Sequence, residues 1–144
     1  MVLFLDFDGV LHPEPATAEL LFCSLPILYA VLVARPAARV VVTSDWRLKH
    51  SAEQLSEMLF RGRPEFRDRF AGVTPIFPEY RFEYRGRERE IEAWLQINGM
   101  TEWIAIDDVA GNFTHGSRRV FLTDYRTGLV SQDIDRLLKR IPTN

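Results

Sequence analysis

The sequence predicts an α/β fold, a three-layer Rossmann-like arrangement in which a parallel sheet lies between helices. Three short apolar runs carry this prediction, at residues 2–5, 40–42 and 103–106. Continuous apolar runs of this length are typical of strands that are buried on both faces of a parallel sheet. Segments with helical spacing separate the runs, as crossover connections require. At 144 residues, the chain is expected to form a single domain over residues 1–144.

The segment after the first strand predicts a loop followed by a buried helix. Pro13 and Pro15 disfavour regular structure there, and the loop carries His12, which either touches substrate or bonds to backbone or water. A helix is expected to begin near residue 25, with Pro26 in its first turn. The helix is apolar on nearly every side, which is typical of the core, with a dimer contact as the alternative. The apolar tract is too short to cross a bilayer, so no membrane association is predicted.

A second helix is predicted over residues 46–60, with a break before Ser51. Apolar residues recur there at intervals of three and four, the spacing of one helical face. These positions are Leu48, Ala52, Leu55 and Leu59. The helix follows the strand at residues 40–42, so the two form a second strand–helix unit.

Residues 60–86 are predicted to form a loop-rich segment near the site, because arginines and aromatic residues alternate there without a clear period. This composition suits a platform for single-stranded nucleic acid, which binds through stacking and phosphate contacts. It also suits an ordinary surface with aromatic anchors, since acidic residues in the same segment offset much of the positive charge. The sequence leaves nucleic-acid binding open.

The remaining elements follow the same alternation of helix and strand. A helix is predicted over residues 87–98, with Gly99 as its stop. A strand at residues 120–122, a turn at 125–128 and a final helix over 131–141 complete the chain. The core-facing positions of the helix before Gly99 are Ile91, Trp94 and Leu95.

Charge and cysteine content exclude several classes of protein. The formal net charge is −2, which argues against a globally basic nucleic-acid binder. Cys23 is the single cysteine, so an internal disulfide framework is excluded, and no Cys/His spacing resembles a zinc site. Asp6 and Asp8 interrupt what would otherwise be a hydrophobic signal core. A cytoplasmic location is therefore expected.

Polar side chains follow each of three predicted strands. The carboxyl ends of parallel strands lie along one edge of the sheet, where ligands normally bind, so these side chains are expected to converge. Carboxylate and hydroxyl oxygens suit the coordination of Mg²⁺. The residues are Asp6, Asp8, Thr43, Ser44, Asp107 and Asp108.

Three motifs in this order resemble those of the haloacid dehalogenase (HAD) superfamily of phosphatases and phosphotransferases. Asp-Phe-Asp-Gly-Val-Leu at residues 6–11 is similar to the first motif, Val-Val-Val-Thr-Ser at 40–44 to the second, and Ile-Ala-Ile-Asp-Asp at 104–108 to the fourth. Ser-Asp-Trp-Arg at 44–47 also resembles small HAD domains attached to RNA-repair proteins.

The resemblance implies a mechanism for the acidic residues. Asp6 would attack phosphorus and form an aspartyl-phosphate. Asp8 would protonate the leaving oxygen and later activate water, so its pKa is expected to be raised. Mg²⁺ would be held by Asp6, the Asp8 backbone carbonyl and Asp107. Asp108 would coordinate the ion through water or brace its neighbour.

The resemblance also implies residues that bind the phosphate group. Thr43, with Ser44 behind it, would donate a hydrogen bond to a phosphate oxygen. Arg87 would bind another oxygen, and Arg47 is included among the substrate-binding residues.

The basic residue of the third motif is the least determined position. The family usually places a lysine there, and this sequence has none between Lys49 and Lys139. Arg87 is the preferred candidate because it starts the helix that leads to the Asp107 strand. Arg85, Arg89 and Lys49 remain competitors.

The expected function is Mg²⁺-dependent hydrolysis of a phosphate monoester, carried by a small molecule or a macromolecular end. The intervals between motifs hold no large cap domain, so the resemblance implies an open site. A nucleic-acid end-processing phosphatase is one alternative, and a non-catalytic module that binds phosphate or nucleic acid is another. A homodimer would also be compatible with the sequence.

Overall fold

A five-stranded, all-parallel sheet forms the centre of the fold, in the order β3-β2-β1-β4-β5. The computed structural model describes residues 1–143. Helices cover both faces of the sheet, and no cap domain is present in the described residues, which confirms the predicted fold class. The elements are β1 (Val2–Leu5), α1 (Leu25–Ala34), β2 (Arg39–Val42), α2 (Ala52–Phe60), β3 (Phe70–Val73), α3 (Gly86–Asn98), β4 (Trp103–Asp107), β5 (Val120–Leu122) and α4 (Asp133–Leu138).

Alternation along β1 sends side chains into two separate cores. Leu3 and Leu5 pack in a large cluster with α1, α2 and α4. Val2 and Phe4 pack in a smaller cluster with α3, where Phe4 lies edge-on to Trp94 at 5.5 Å between ring centroids. Successive residues of a strand point to opposite faces, so a wholly apolar strand requires helices on both sides.

Helices α1 and α3 begin close to the predicted positions, whereas α4 is shorter than its predicted range of 131–141. Pro26 lies in the first turn of α1, and Gly99 ends α3 in the left-handed conformation with φ of 65°. The helix predicted over residues 46–60 is two elements, because a 3₁₀ turn at Asp45–Leu48 precedes α2. Ser51 caps α2 in a reciprocal capping box with Gln54, which explains the predicted break.

The sequence did not predict β3, which lies within the loop-rich segment. Its residues are only partly buried, and Gly72 interrupts it with φ of 121°. A short edge strand with a glycine lacks both the apolar run and the period-two pattern by which strands are recognised. The strand pairs in parallel with β2, with a register shift after Val40.

Among residues 1–143, no helix combines the length and the apolar character needed to cross a membrane.

Candidate active site

A cavity of about 710 Å³ lies where β1 and β4 end. Its lining includes Asp6, Asp8 and Asp108 and the turns between β3 and α3. Arg87 lines the cavity from the start of α3. The parallel register of β1 with β4 therefore brings together residues that are about one hundred positions apart in the sequence.

Three of the predicted metal ligands form a compact cluster. Asp6, Asp107 and Asp108 each offer a carboxylate oxygen, and these oxygens lie within 4.8 Å of one another. Burial raises the pKa of Asp6 to about 6, although the nearby Arg87 charge and the Phe7 N–H oppose the shift. Burial also raises the pKa of Asp107, and the Asp6 carboxylate adds to the effect. Ionised together, these groups need a cation to stabilise them.

The donor set fits a hard divalent cation. Asp107 Oδ1 accepts the Val109 N–H at 2.8 Å, whereas its Oδ2 is buried without a hydrogen-bond partner in the described part of the chain. A buried carboxylate oxygen usually has a partner, so this atom is suited to bind a cation. Mg²⁺ prefers such oxygen donors. The Asp8 carboxylate lies outside the cluster, and the metal role of its backbone carbonyl stays a prediction.

Mg²⁺ is expected to raise the melting temperature at pH 7.5 by several degrees, because an ion at a hundred times its Kd stabilises a protein by about 2.7 kcal/mol. The rise should be smaller at pH 5. There Asp6, with its pKa near 6, is mainly protonated, and protons compete with the ion. Differential scanning fluorimetry with and without Mg²⁺ measures both effects.

The Asp107→Ala variant should lose the Mg²⁺-dependent rise, and Asp68→Ala is the matched control. Asp68 is an exposed acid outside the cavity, so its removal also deletes one negative charge. An equal Mg²⁺ effect in both variants would exclude the proposed metal position.

Asp8 is held in one orientation by two donors on the same oxygen. The His12 ring lies 2.8 Å and the Trp46 Nε1–H 3.0 Å from Asp8 Oδ1. His12 Nδ1 accepts the Phe22 N–H at 3.3 Å, so the Nε2 atom carries the hydrogen that is donated to Asp8. His12 is buried with one ring nitrogen bonded to backbone, as one of its two alternatives had it, and with the other bonded to the Asp8 carboxylate, which neither alternative included.

The pKa of Asp8 differs from expectation. The hydrogen bond from His12 lowers it below the usual value, with a further contribution from Trp46, and partial burial does not compensate. The side chain keeps 41% of its surface exposed. The predicted upward shift is therefore wrong for the free protein, because the contacts that orient the carboxylate also stabilise its charge.

Arg87 is the candidate basic residue that the structure places in the cavity. Its guanidinium is 10% exposed and lies 3.3 Å from Asp45 Oδ1 and 3.6 Å from Glu90 Oε1. Burial alone would lower the pKa of Arg87, but the charges of Asp6 and Asp107 outweigh it and raise the pKa. The guanidinium is therefore firmly cationic beside the acidic cluster.

The three competitors lie elsewhere. Arg85 pairs with Glu88 and Glu92 on the side of α3, and Arg89 lies over the Tyr80 ring at 4.6 Å. Lys49 is exposed, and none of the three lines the cavity.

Arg47 lines the cavity, its side-chain nitrogens all have protein partners, and its role in substrate binding stays a prediction. Its Nε donates to the Ser44 carbonyl, its Nη1 to Thr74 and the Pro75 carbonyl, and its Nη2 to Glu90. All three nitrogen atoms are occupied in a buried setting. Arg47 therefore links the turn after β2 to the chain after β3 and to α3.

Thr43 and Ser44 are buried behind the cavity. The Thr43 hydroxyl lies 3.2 Å from the Thr74 hydroxyl, and neither Thr43 nor Ser44 lines the cavity. Ser44 caps the following 3₁₀ turn by accepting the Trp46 N–H, and its hydroxyl lowers the pKa of Asp6. Their contact with phosphate stays a prediction, and in this structure they support Asp6 and the turn.

Gly9 permits the close approach of the first and fourth motifs. Its φ is 72°, and a Cβ atom there would overlap the Asp108 carboxylate. A side chain at this position would be strained and would displace a member of the acidic cluster.

The sequence analysis assigned no role to three residues that organise the site, although two of them lie in the Ser-Asp-Trp-Arg segment at 44–47. Glu90 is buried and accepts from Arg47 and from the Phe77 N–H, while Asp45 pairs with both Arg81 and Arg87. The third is Trp46. Glu90 stands one helical turn after Arg87, a spacing that could have signalled the pair; the others depend on contacts between distant parts of the chain.

A family model for the HAD domain in Swiss Army Knife RNA repair proteins matches residues 2–134. The chain belongs to this family. The match to this HAD domain runs from β1 into α4 and includes all three motifs. No curated protein and no solved structure matches the chain. The HAD-like domain described here is thus a small, capless member of a phosphatase-type family.

Proposed function

We propose that this HAD domain hydrolyses a phosphate monoester by nucleophilic catalysis at Asp6. The observation that carries the proposal is the joint placement of Asp6, Asp8 and Arg87 around one cavity, beside the Asp107 and Asp108 carboxylates. A nucleophile, a proton donor and a cationic phosphate ligand are what two-step phosphoryl transfer requires. The family match supports the same chemistry.

In the first step, an Asp6 carboxylate oxygen attacks phosphorus and the bond to the ester oxygen breaks. Asp8 gives a proton to that oxygen, so the product leaves as an alcohol. Its Oδ1 already accepts two hydrogen bonds, and therefore Oδ2 carries the proton. A phosphate dianion bound nearby favours protonation of Asp8, because like charge raises the pKa of a carboxyl group.

In the second step, the Asp8 carboxylate takes a proton from water while the water oxygen attacks phosphorus. The bond between Asp6 and phosphorus breaks, which releases inorganic phosphate and restores the Asp6 carboxylate. Arg87 binds the phosphate oxygens in both steps. Mg²⁺ held by Asp6, Asp107 and Asp108 would stabilise negative charge on the transferring group.

Purified protein is expected to release phosphate from p-nitrophenyl phosphate with Mg²⁺ and to lose that activity in excess EDTA. Restoring free Mg²⁺ should restore the rate. Colorimetric detection of both products tests the reaction, and equal rates with Mg²⁺ and with EDTA would contradict the metal requirement.

The phosphorylated end of an RNA is a second candidate substrate, beside a small phosphate ester. The description of the matching family, which places its HAD domain in RNA repair proteins, favours it. Comparing phosphate release from 3′- and 5′-phosphorylated oligonucleotides with release from phosphorylated metabolites separates the two candidates.

A further inference from the structure

The part of the cavity lining that lies between β3 and α3 in the sequence carries aromatic rings that the phosphoryl transfer does not use. Phe82 is 89% exposed and Tyr84 is 57% exposed, and both line the cavity. Leu48, Ile76 and Val109 are further exposed apolar side chains that line it. A cavity of about 710 Å³ is far larger than one phosphate group needs and lies in the range that holds ligands of drug size.

The loop that presents these rings is held in place before any ligand arrives. Gly86 N–H donates to the Glu83 carbonyl, Glu83 N–H to the Tyr80 carbonyl, and Arg85 N–H to the Gly111 carbonyl. A Cβ atom on Gly86 would overlap the Tyr80 carbonyl oxygen, so the absence of a side chain there allows the loop to close.

Each ring is also held individually. The Tyr84 hydroxyl accepts the His115 N–H at 2.9 Å. Phe82 has a φ of 70°, which is rare for a bulky residue, and the Arg81 guanidinium lies over its ring at 4.9 Å from the centroid. Arg81 in turn pairs with Asp45, which also pairs with Arg87. The aromatic wall is thereby connected to the candidate phosphate-binding residue.

The negative charge of the cavity lining limits how many phosphate groups the ligand can carry. Acidic side chains outnumber basic ones in the lining, and its three arginines, Arg47, Arg81 and Arg87, are already ion-paired. Glu14 and Glu83 add negative charge away from the metal-binding cluster. One phosphate can be accepted beside Arg87 and a divalent ion, but a second phosphate in the cavity would be repelled.

We propose that Phe82 and Tyr84 form a ring-binding subsite, so that the substrate is a phosphate monoester whose alcohol carries a planar ring and no second phosphate within the cavity. This inference rests on the proposed function for the position of the phosphate. A nucleobase and an aryl group share the required chemistry, since both offer a flat face for stacking.

The test compares three substrates: adenosine 3′-monophosphate, phenyl phosphate and glycerol 2-phosphate, which has no ring. Phe82→Ala and Tyr84→Ala should each raise KM for a ring-bearing substrate on the order of tenfold, as expected for the loss of one stacking partner. Their kcat should stay within about twofold, because the rings bind ground state and transition state alike. The KM and kcat of both variants for glycerol 2-phosphate should equal those of the wild type.

Tyr125→Ala is the matched control, because Tyr125 is 53% exposed and does not line the cavity. Phe82→Tyr keeps a ring and should have a KM close to the wild-type value. Tyr84→Phe keeps the ring but loses the hydrogen bond from the His115 N–H, so its KM should lie between those of the wild type and Tyr84→Ala. An effect on adenosine 3′-monophosphate alone assigns the ring to a nucleobase, and an effect on phenyl phosphate alone assigns it to an aryl group. Equal KM changes for all three substrates, or no change for any, would overturn the subsite while leaving the hydrolase intact.

A binding measurement on a protein that does not turn over substrate tests the ring subsite independently of the proposed hydrolysis. Calorimetry on the Asp6→Asn protein with Mg²⁺ should show tighter binding of adenosine 3′-monophosphate or phenyl phosphate than of glycerol 2-phosphate. Phe82→Ala in the same background should remove the difference. If the wild type hydrolyses nothing, this result still supports the ring subsite, whereas equal affinities for all three compounds reject it.

Discussion

Replacing Asp6 with asparagine is expected to lower kcat on the order of a thousandfold or more, since loss of a catalytic nucleophile has effects of this size. The amide has nearly the shape of the carboxylate but does not attack phosphorus. Initial rates with p-nitrophenyl phosphate and Mg²⁺ measure the loss.

Asp108→Asn is the control for loss of charge in the same cluster, and it should retain far more activity because the nucleophile is intact. Folding should not explain the loss in Asp6→Asn. Burial raises the pKa of Asp6, so its ionised form is disfavoured in the folded protein without metal, and a neutral amide should leave the metal-free melting temperature at pH 7.5 unchanged or higher. A wild-type rate in Asp6→Asn would reject Asp6 as the nucleophile.

Replacing Asp8 with asparagine is expected to lower kcat by roughly 10²–10⁴-fold for glycerol 2-phosphate, the range for removal of a general acid. The loss should be much smaller in the first step with p-nitrophenyl phosphate, because nitrophenolate leaves without a proton. Burst kinetics, which separate the two steps, measure this difference.

His12→Phe should also lower the first-step rate more for glycerol 2-phosphate than for p-nitrophenyl phosphate, but by a smaller factor than Asp8→Asn does. Phenylalanine fills the buried site but removes the hydrogen bond that orients Asp8 Oδ1. His12 is a positioning residue, and a purely structural role would lower first-step rates for both substrates equally. If Asp8→Asn lowered the first-step rate equally for glycerol 2-phosphate and p-nitrophenyl phosphate, proton donation by Asp8 would be excluded.

The sequence was sufficient to locate the acidic cluster, because parallel strands align their carboxyl ends whatever lies between them. Asp6 and Asp107 could therefore be placed together from two apolar runs alone. That inference depends on local periodicity and on topology, which short stretches of sequence encode. Arg87 was preferred because the basic residue of the resembling family falls at the start of this helix, with Arg85, Arg89 and Lys49 as competitors.

The roles of Arg47 and Asp8 depended on contacts that no local pattern encodes. Arg47 is occupied by Thr74 and Glu90, which lie 27 and 43 positions further along the chain. The pKa of Asp8 is set by His12 and by Trp46, 38 positions away. The sequence beside a motif is the same whether the N–H groups of its arginine are free or already hydrogen-bonded. Only the folded structure distinguishes these two cases.

The close packing of Gly86 against the Tyr80 carbonyl affects both the affinity and the rate of ligand binding. A wall that is already ordered loses little conformational entropy when a ring settles on it, so more of the contact energy is retained as affinity. Association is then governed by diffusion and by the charge around the cavity, because this loop does not have to become ordered first. The free site should therefore admit its substrate and release its products without waiting for the loop to refold.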